Sequence, residues 1–454
     1  MGAFHAYDIR GVWGVDFDST VAYKVGYFIP ELLGAREVLV GRDCRVSSME
    51  IHDALIQGIT DAGADVRDLG LASTPLVYFG TANYGYKASV QITASHNPAE
   101  YNGMKVSREN ALPVGLDTGL GQIKQWIDEG RQTPVSAVKG KVTPLDIRED
   151  YINFLLKFKA DYSGIRIAFD LSNGMSCLFA KRIFGEEPSY IFDTIDGSFP
   201  NHEPNPLIPK NVEPLKELVC KTGADVGVIY DGDADRVMFV DEQSRFVEPD
   251  LVVALMSRYF IDERGAKNPV VLQEIRSSKA VGEYLGRKGA DLHTWRVGRA
   301  YAAPKLREID GLWGGELAGH YYFKDFFYSD SGLLSSMIVL RIVAALKKEG
   351  KTLGQAMDEI ATYRNSGEIN FRIEDKKGAM DAVKEHFTAQ ENPAAVMDFD
   401  GYRVEFDHWW FNIRPSNTEP YLRFICEADT DSLLESKIEE TVNLLSTRFG
   451  AIRS

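Results

Sequence analysis

The stretch GADVGVIYDGDADRVMFVDE, residues 223–242, contains two apolar runs on either side of an acidic turn. Each run is short and rich in branched or aromatic residues, which is typical of a buried strand. The turn carries Asp231, Asp233 and Asp235 at alternate positions. We therefore predict two strands, with three carboxylates on one side of the short loop that joins them.

Stretches with a similar pattern lie on both sides of this one. REVLVGRD (36–43) and GIRIAFDLSNG (164–174) are apolar strands that run into polar turns. In the segment 47–70, Ile51, Leu55 and Ile59 recur every four residues, which places them on one face of a helix. Such alternation of strands and helices predicts mostly parallel sheets with helices packed on them. Ligands of such sheets bind at the loops beyond the carboxyl ends of the strands.

Three α/β units follow one another along the chain, with predicted boundaries at 1–147, 148–250 and 251–366. The third contains an apolar helix (250–260) and the strand-like segments PVVLQEIRSS, DLHTWRVGR and GLWGGELAGH. The remaining residues, 367–454, read as strands and two helices without the strand–helix alternation. The predicted fold class is therefore α/β, with three similar domains of mixed, mostly parallel sheets and a C-terminal α+β domain.

Composition excludes several classes of protein. The 454 residues are 44% hydrophobic and 26% charged, as in an ordinary globular protein, and no apolar run approaches the ~20 residues of a membrane helix. The formal charge of −15 argues against nucleic acid and anionic membranes as partners. An anionic substrate would need a locally cationic pocket. Four scattered cysteines and the absence of a signal-peptide pattern at MGAFHAYDIRG lead us to expect a cytoplasmic protein.

The acidic turn DGDADR is the sharpest chemical signal. Oxygen ligands suit a hard divalent ion such as Mg²⁺. One alternative is a solvated acidic turn, although three close carboxylates repel one another without a cation. Another is a helical calcium loop, but that loop needs glycine at the position of Arg236. An arginine beside a magnesium site indicates phosphate chemistry, in which positioning and charge neutralisation dominate.

A cationic loop near the C-terminus could bind a second phosphate. The segment IRPSNTEPYLR (413–423) supplies two guanidinium groups and several small polar groups: Arg414, Arg423, Ser416, Asn417 and Thr418. A guanidinium binds phosphate through two hydrogen bonds, and a polar turn can surround it. The alternative is a proline-containing turn without a ligand.

The segment GGELAGHYYF (314–323) places Glu316 and His320 in a glycine-rich loop. A carboxylate and an imidazole together can accept hydrogen bonds from sugar hydroxyls and donate to them. A histidine with a purely structural role is the alternative.

The segment QITASHNPAEYNGMKVS (91–107) runs from an apolar strand into Ser95, with His96, Pro98 and Lys105 after it. We interpret Ser95 as a nucleophile and phosphate carrier, with His96 and Lys105 moving protons or steadying charge. A phosphoserine carries roughly −1.5 to −2 charges, which would complete the ligands of a magnesium ion held by three aspartates. An ordinary Ser-Asn-Pro turn is the alternative.

Taken together, these motifs resemble those of the α-D-phosphohexomutases, in particular the bacterial and archaeal phosphomannomutase/phosphoglucomutase group. The resemblance rests on motifs in the family order: AYDIRGVWG, TASHNP, NGMK, DGSFPNHEPNP, DGDADR, GELAGH and RPSNTEP. It implies four domains around a central cleft, with one functional loop from each. These are a phosphoserine loop, a metal-binding loop, a sugar-binding loop and a phosphate-binding loop.

The resemblance also implies a reaction and the residues that perform it. Phosphoserine donates its phosphoryl group to a hexose phosphate, and the resulting 1,6-bisphosphate reorients and returns the other phosphoryl group. Ser95 matches the phosphorylated serine and, with the three aspartates, the ligand set of one Mg²⁺. The expected catalytic residues are Ser95, Lys105, His96 and Arg10. The expected substrate-binding residues are Tyr7, Arg236, Glu316, His320, Arg414, Ser416, Asn417, Thr418 and Arg423.

The expected partners are mannose or glucose phosphates, with hexose 1,6-bisphosphate as intermediate and activator, and the chain is expected to be a monomer or weak homodimer. Three residues depart from the family pattern. Ala318 replaces a usual serine, Ala234 a usual glycine that is dispensable if φ stays negative, and Arg299 a frequent histidine. The first and third leave the range of substrates open. Phosphoglucosamine mutase is the alternative within the family, and a phosphatase or a non-catalytic sugar-phosphate-binding protein the alternative outside it.

Overall fold

Four β-sheets follow one another along the chain in the computed structural model, which describes residues 2–416 and 421–453. The first three sheets each combine a parallel part with an antiparallel edge, and the fourth is antiparallel. Helices pack on each sheet. The predicted fold class is confirmed. The predicted domain boundaries remain a prediction, and we use the names domain I to domain IV for the parts that contain the four sheets.

Domain I has the strand order β1-β5-β4-β2-β3-β7, with β6 paired to β5. Its strands are β1 (Ile9–Val12), β2 (Glu37–Arg42), β3 (Asp65–Leu71), β4 (Ala88–Ile92), β5 (Tyr101–Arg108), β6 (Leu112–Pro113) and β7 (Val142–Pro144). Its helices are α1 (Ser19–Leu33), α2 (Ser48–Asp61), α3 (Thr74–Tyr84) and α4 (Leu120–Asp128). Ile51, Leu55 and Ile59 of α2 are fully buried, as their spacing predicts. The Ser95 loop joins β4 to β5.

Domain II contains the acidic turn DGDADR and the two strands beside it. Its elements are α5 (Arg148–Leu155), β8 (Ile167–Asp170), α6 (Ala180–Phe184), β9 (Ser189–Ile191), α7 (Pro209–Thr222), β10 (Val226–Tyr230), β11 (Val237–Asp241) and β12 (Phe246–Val247). The strand order is β12-β11-β10-β8-β9. β10 and β11 form an antiparallel pair in which every residue is buried, which confirms the two predicted strands. The acidic turn therefore lies at the carboxyl end of β10.

Domain III has the strand order β14-β13-β15-β16-β17. Its strands are β13 (Val270–Glu274), β14 (Asp291–Trp295), β15 (Trp313–Gly315), β16 (Tyr321–Phe323) and β17 (Ser329–Asp330). Its helices are α8 (Pro249–Leu255), α9 (Lys279–Arg287), α10 (Arg299–Glu308), α11 (Gly332–Lys348) and α12 (Leu353–Ile360). α11 is buried on nearly all sides because it also packs against β10 and β11 of domain II. One hydrophobic core consequently extends through domains I, II and III.

Domain IV has the strand order β20-β21-β22-β23-β19-β24, with β18 paired to β23, and a core of its own. Its strands are β18 (Arg364–Asn365), β19 (Ile369–Arg372), β20 (Ala395–Met397), β21 (Tyr402–Glu405), β22 (Trp409–Pro415), β23 (Tyr421–Ala428) and β24 (Ile452–Arg453). Its helices are α13 (Lys376–Gln390) and α14 (Asp431–Phe449). Arg403 joins it to domain III by donating to the carbonyls of Ile275 (2.9 Å) and Ser277 (2.5 Å).

Short helical turns complete the chain. They are five 3₁₀ segments of three residues or four, and one π-helical segment: Glu109–Ala111, Leu116–Thr118, Leu156–Phe158, Met175–Leu178, Lys324–Phe326 and Arg258–Glu263. Among the residues that the structure describes, no helix is both long and apolar enough to cross a membrane.

Candidate active site

Loops that follow strands of domains I, II and III meet around one cavity of about 180 Å³. Eight of the predicted site residues line it: Tyr7, Arg10, Ser95, Lys105, Asp235, Arg236, Glu316 and His320. Tyr78, Arg299 and Ala318 line it as well. Eight of the seventeen lining residues were thus predicted from the sequence, mainly from loops that follow strands whose carboxyl ends face the same edge.

Ser95 lines this cavity and is almost fully buried. Its hydroxyl donates a hydrogen bond to Oδ2 of Asp231 at 2.7 Å, and Nδ1 of His96 lies 3.4 Å from the same hydroxyl. The backbone of Ser95 has φ of 51°, in the left-handed region that a non-glycine residue rarely adopts. Surrounding structure must hold this conformation in place, and a strained nucleophile is a frequent feature of active sites.

The three aspartates of the acidic turn are all buried, at 0%, 0% and 1% exposure for Asp231, Asp233 and Asp235. The hypothesis of a solvated acidic turn is therefore wrong. The calcium-loop alternative is also wrong, because strands β10 and β11 flank the turn. Lys105 donates from Nζ to Oδ2 of Asp233 (2.7 Å) and of Asp235 (2.5 Å).

The donor set of this turn fits a divalent cation. Carboxylate oxygens of Asp231, Asp233 and Asp235 lie within 4.8 Å of one another. Oδ1 of Asp233 and Oδ1 of Asp235 are buried and have no hydrogen-bond partner among the described residues. Buried carboxylate oxygens without a donor are costly, and a hard cation would satisfy them.

Ala234 departs from the expectation that its φ is negative. Its φ is +63°, in the left-handed region that favours glycine. The backbone must turn sharply here to bring the aspartates on either side to the same point. The alanine is thus tolerated at a cost of roughly 1–2 kcal/mol rather than without strain.

Charges in the cavity shift the pKa values of its ionisable groups. Burial, with the neighbouring Asp233 and Asp235, raises the pKa of Asp231 well above its usual range. Burial alone would lower the pKa of Lys105, but those two carboxylates raise it well above the usual value. Burial and the cations around His96 lower its pKa well below the usual value. Lys105 is thus a fixed positive charge here, and His96 a neutral imidazole.

Arg10 and Tyr7 connect the N-terminal segment to the cavity. Arg10 donates to Asp8 (2.5 Å) and to the side-chain oxygen of Asn97 (2.9 Å), so it contacts the Ser95 loop directly. The hydroxyl of Tyr7 donates to the carbonyl of Val297 in domain III at 3.2 Å. Both side chains therefore join elements that are far apart in the sequence.

Glu316 and His320 lie at the two ends of the turn between β15 and β16. Glu316 accepts a hydrogen bond from the hydroxyl of Tyr322 (2.6 Å). His320 is 2.6 Å from Asp330 through Nδ1 and accepts from Nε of Arg236 (2.9 Å) through Nε2. Both ring nitrogens of His320 thus have protein partners, and a sugar hydroxyl would have to displace Arg236 to reach Nε2.

Tyr78 lines the cavity but was not predicted as a site residue, and Arg299 was noted only as a departure from the family pattern. Asp330, which was also missed, is outside the lining but contacts both Arg299 and His320. Arg299 stacks on Tyr78 with 3.7 Å between guanidinium and ring centre, and its Nε donates to Asp330 at 2.9 Å. Its Nη2 donates to the carbonyl of Ala111 (2.8 Å), so Arg299 joins domains I and III. The position of Asp330 directly before α11 carried no functional signal in the sequence. Tyr78 lies inside a helix with apolar neighbours, where an aromatic residue indicates core.

The described residues of the predicted phosphate loop of domain IV, Arg414, Ser416 and Arg423, are not among those that line the cavity. Arg414 is buried and lies 3.4 Å from Asp400, while Arg423 lies 3.0 Å from Glu368. Asp400 also accepts from the backbone N–H of Val297 at 3.0 Å, so it connects this loop to the cavity wall. Ser416, two residues after Arg414, is buried as well. Asn417 and Thr418 lie outside the described residues.

Arg414 is buried among other charged side chains. Burial and the charge of Arg276 lower its pKa below the ordinary value for arginine. Carboxylates partly offset the repulsion between the two guanidinium groups, because Arg414 lies 3.4 Å from Asp400 and Arg276 pairs with Glu274 (2.7 Å) and Glu368 (3.2 Å).

Comparisons with known proteins cover almost the whole chain. Residues 1–133, 149–244, 248–363 and 368–444 match the family models described as phosphoglucomutase/phosphomannomutase alpha/beta/alpha domains I, II and III and C-terminal domain. A phosphomannomutase of Methanocaldococcus jannaschii is 36% identical over 98% of this chain and 97% of its own. One of Salmonella montevideo is 34% identical over 98% and 99%. The crystal structure of a phosphoglucomutase/phosphomannomutase family protein from Burkholderia thailandensis superposes with a TM-score of 0.87 at 27% identity, covering 98% of this chain and 97% of the other.

Proposed function

Since the chain belongs to the phosphoglucomutase/phosphomannomutase family and is a phosphohexomutase, we propose that Ser95 is the residue that carries its phosphoryl group. The enzyme moves phosphoryl reversibly between C1 and C6 of hexose phosphates. The observation that supports Ser95 best is the position of its hydroxyl, which lies 2.7 Å from Asp231 in a cavity lined by three domains. The residue is buried, and its backbone φ is strained. In the first half-reaction the bond from Oγ to phosphorus breaks while one from a sugar oxygen to phosphorus forms, and the sugar hydroxyl loses its proton. In the second, the other sugar O–P bond breaks while the bond from Oγ to phosphorus re-forms, so the serine hydroxyl loses its proton and the released sugar oxygen gains one.

The acidic turn is the proposed magnesium site. Asp231, Asp233 and Asp235 would hold one Mg²⁺ together with Ser95 or its phosphoryl oxygens. When bound, the ion supplies positive charge that offsets charge developing on the transferred phosphoryl group. The buried, unpartnered oxygens of Asp233 and Asp235 support this assignment.

Four cationic or neutral side chains complete the reaction centre. Arg10 is proposed to orient the Ser95 loop through Asn97 and to stabilise phosphoryl oxygens, and Arg236 to contact the sugar phosphate from the opposite wall. The fixed charge of Lys105 favours an electrostatic role, to which proton transfer could be added once its carboxylate partners bind a metal. His96, neutral and 3.4 Å from Oγ, is the proposed acceptor for a proton.

Glu316 and His320 are proposed to bind sugar hydroxyls, with Tyr7 on the facing wall. Their backbones support each other, because the N–H of Glu316 donates to the carbonyl of His320 at 2.9 Å. This loop lacks one hydroxyl donor at Ala318. A wider range of sugars, rather than loss of the reaction, is the expected consequence.

Mannose and glucose phosphates are the proposed substrates, with hexose 1,6-bisphosphate as activator. The phosphomannomutase relatives support this choice, as do the motifs AYDIRG and TASHNP and the residue Asn417. We also propose a cytoplasmic protein, to which the four free cysteines are suited, and a monomer or weak homodimer.

A substrate panel tests the proposed function. Mannose, glucose, glucosamine and N-acetylglucosamine 1-phosphates would be assayed with the matching 1,6-bisphosphate present, recording 6-phosphate formed and inorganic phosphate released. We expect conversion of the first two with no net phosphate release. Preference for glucosamine 1-phosphate would establish the alternative within the family, and stoichiometric phosphate release would indicate a phosphatase.

Arg414→Ala is expected to raise KM about 10- to 150-fold, as the loss of a charge-assisted contact of roughly 1.5–3 kcal/mol implies. The distal phosphate does not react, so its contacts hold ground and transition states alike. Phosphorylated Ser95 should persist, and free 1,6-bisphosphate should accumulate if reorientation loses its tether. KM and free bisphosphate are measured together.

Arg364→Ala is the matched control, because Arg364 belongs to the same domain and is exposed on its surface. It should keep the parent KM. A wild-type KM in Arg414→Ala, with no free intermediate, would show that this loop is not the phosphate clamp.

A further inference from the structure

Arg45 lies beneath the Ser95 loop, and we propose that it is a positioning residue that holds this loop in the geometry required for phosphoryl transfer. The inference rests on the proposed role of Ser95. Its side chain is completely buried, which is rare for arginine and costly unless every N–H group finds a partner.

The guanidinium of Arg45 donates to four backbone carbonyls of the Ser95 loop. Nη2 reaches the carbonyls of Ser95 (2.9 Å) and Asn97 (2.6 Å), and Nη1 those of Pro98 (2.6 Å) and Tyr101 (3.1 Å). These acceptors run from Ser95 to Tyr101, the first residue of β5. A planar fork of N–H donors can satisfy all four at once, which the single ammonium of lysine cannot do with the same geometry.

Arg45 is itself held from below by Asp43 at the end of β2. Nε of Arg45 lies 3.2 Å from Oδ2 of Asp43, while Oδ1 accepts from the backbone N–H of Arg45 (3.0 Å) and from Ser48 (2.5 Å). The loop is therefore tied to the sheet of domain I through the carbonyl hydrogen bonds of Arg45, its ion pair with Asp43 and the backbone hydrogen bond to that carboxylate, although Nε itself makes no hydrogen bond among the described residues.

Domain II closes over the other side of Arg45. The ring of Phe199 lies 5.0 Å from the guanidinium, and Gly197 forms an isolated β-bridge with Arg45. A Cβ at Gly197 would stand 1.9 Å from the carbonyl of Cys44, so only glycine allows this approach. These contacts give a physical role to the motif DGSFPNHEPNP, whose residues do not line the cavity. The pair His202–Asp170, at 3.1 Å, holds the motif to domain II.

The carbonyl of Ser95 is confined between Arg45 and the acidic turn DGDADR of domain II. A Cβ at Gly232 would stand 2.6 Å from that carbonyl, so the two loops are in direct contact. This confinement accounts for the strained φ of Ser95 and fixes the direction of its hydroxyl toward Asp231. Since a shift of about 1 Å at a reacting group can lower a rate about 100-fold, Arg45 should act on the chemical step rather than on sugar binding.

The test is single-turnover transfer from the phosphorylated enzyme to glucose 1-phosphate in Arg45→Lys. We expect the rate constant per phosphoenzyme to fall about 100-fold with its amplitude retained, and KM to change less than about threefold because the sugar and distal-phosphate contacts remain. Arg403→Lys is the matched control. Arg403 is equally buried, donates to two carbonyls and stacks on Trp410 at 3.8 Å, but it lies far from the Ser95 loop in the fold, between domains III and IV. Its rate constant should stay near wild type.

A reduced amplitude with a wild-type rate constant in Arg45→Lys would show a purely structural role and overturn the inference. If that variant does not fold, Phe199→Leu, which removes the ring over the guanidinium, should still lower the rate constant about 5-fold; an unchanged rate constant there would equally overturn it. A wild-type enzyme that forms no phosphoserine would refute the role of Ser95 itself, which is a distinguishable outcome.

Discussion

Ser95→Ala is expected to lose the phosphate adduct of the protein and to lower mutase activity at least about 1000-fold, because no other described side chain can take over the nucleophile's place. The only polar atom removed is the hydroxyl that lies 2.7 Å from Asp231. Intact-mass spectrometry after incubation with glucose 1,6-bisphosphate would show the wild-type protein with one additional phosphoryl mass and the variant without it.

Ser107→Ala is a suitable control, because Ser107 is a buried serine on β5 that is not among the residues lining the cavity. It should keep both the adduct and the activity. A phosphate adduct that persists in Ser95→Ala would place the phosphoryl carrier elsewhere and refute the assignment.

Asp233→Asn is expected to lower kcat at least about 100-fold, since it removes one negative charge from the proposed metal site while keeping the size of the side chain. Thr74 and Lys105 both donate to Oδ2 of Asp233, so the residue itself should remain in place. The measurement is kcat at saturating Mg²⁺, together with the stoichiometry and affinity of metal binding by calorimetry. We expect the variant to bind Mg²⁺ more weakly.

Asp241→Asn gives the corresponding loss of a buried carboxylate in the same domain, at the far end of β11 and paired with Arg245. Its kcat should stay within about a few-fold of wild type, as for a change outside the reacting groups. Chelation of divalent ions should inactivate the wild type reversibly. Full activity in excess chelator would contradict a metal site at the acidic turn.

Much of the fold follows from local pattern. The spacing of Ile51, Leu55 and Ile59 predicted the buried face of α2, and the apolar runs around DGDADR predicted β10 and β11. In contrast, α11 is apolar on nearly all sides because it also packs against the sheet of domain II. The sequence of α11 does not indicate which element covers it. Local periodicity shows that a surface is buried but not against what.

The candidate site divides in the same way. Turn composition and spacing were enough to select Ser95, the three aspartates, and the pair Glu316 and His320 as candidates. Hydroxyl, carboxylate and imidazole groups in glycine-rich or proline-containing loops after strands indicate a functional site by their residue types alone. The motif DGSFPNHEPNP was visible as well, but without a role.

Only the tertiary structure decided how these groups meet. Ser95 and Asp231 are 136 positions apart in the sequence. Their side chains come within 2.7 Å because the loop after β4 of domain I contacts the acidic turn after β10 of domain II. The fixed charge of Lys105, the left-handed φ of Ala234 and the burial of Arg45 under four carbonyls arise from that same packing. Sequence determines which chemical groups each loop presents, whereas burial and long-range contacts set their distances, charges and strain, since these depend on every element that packs around them.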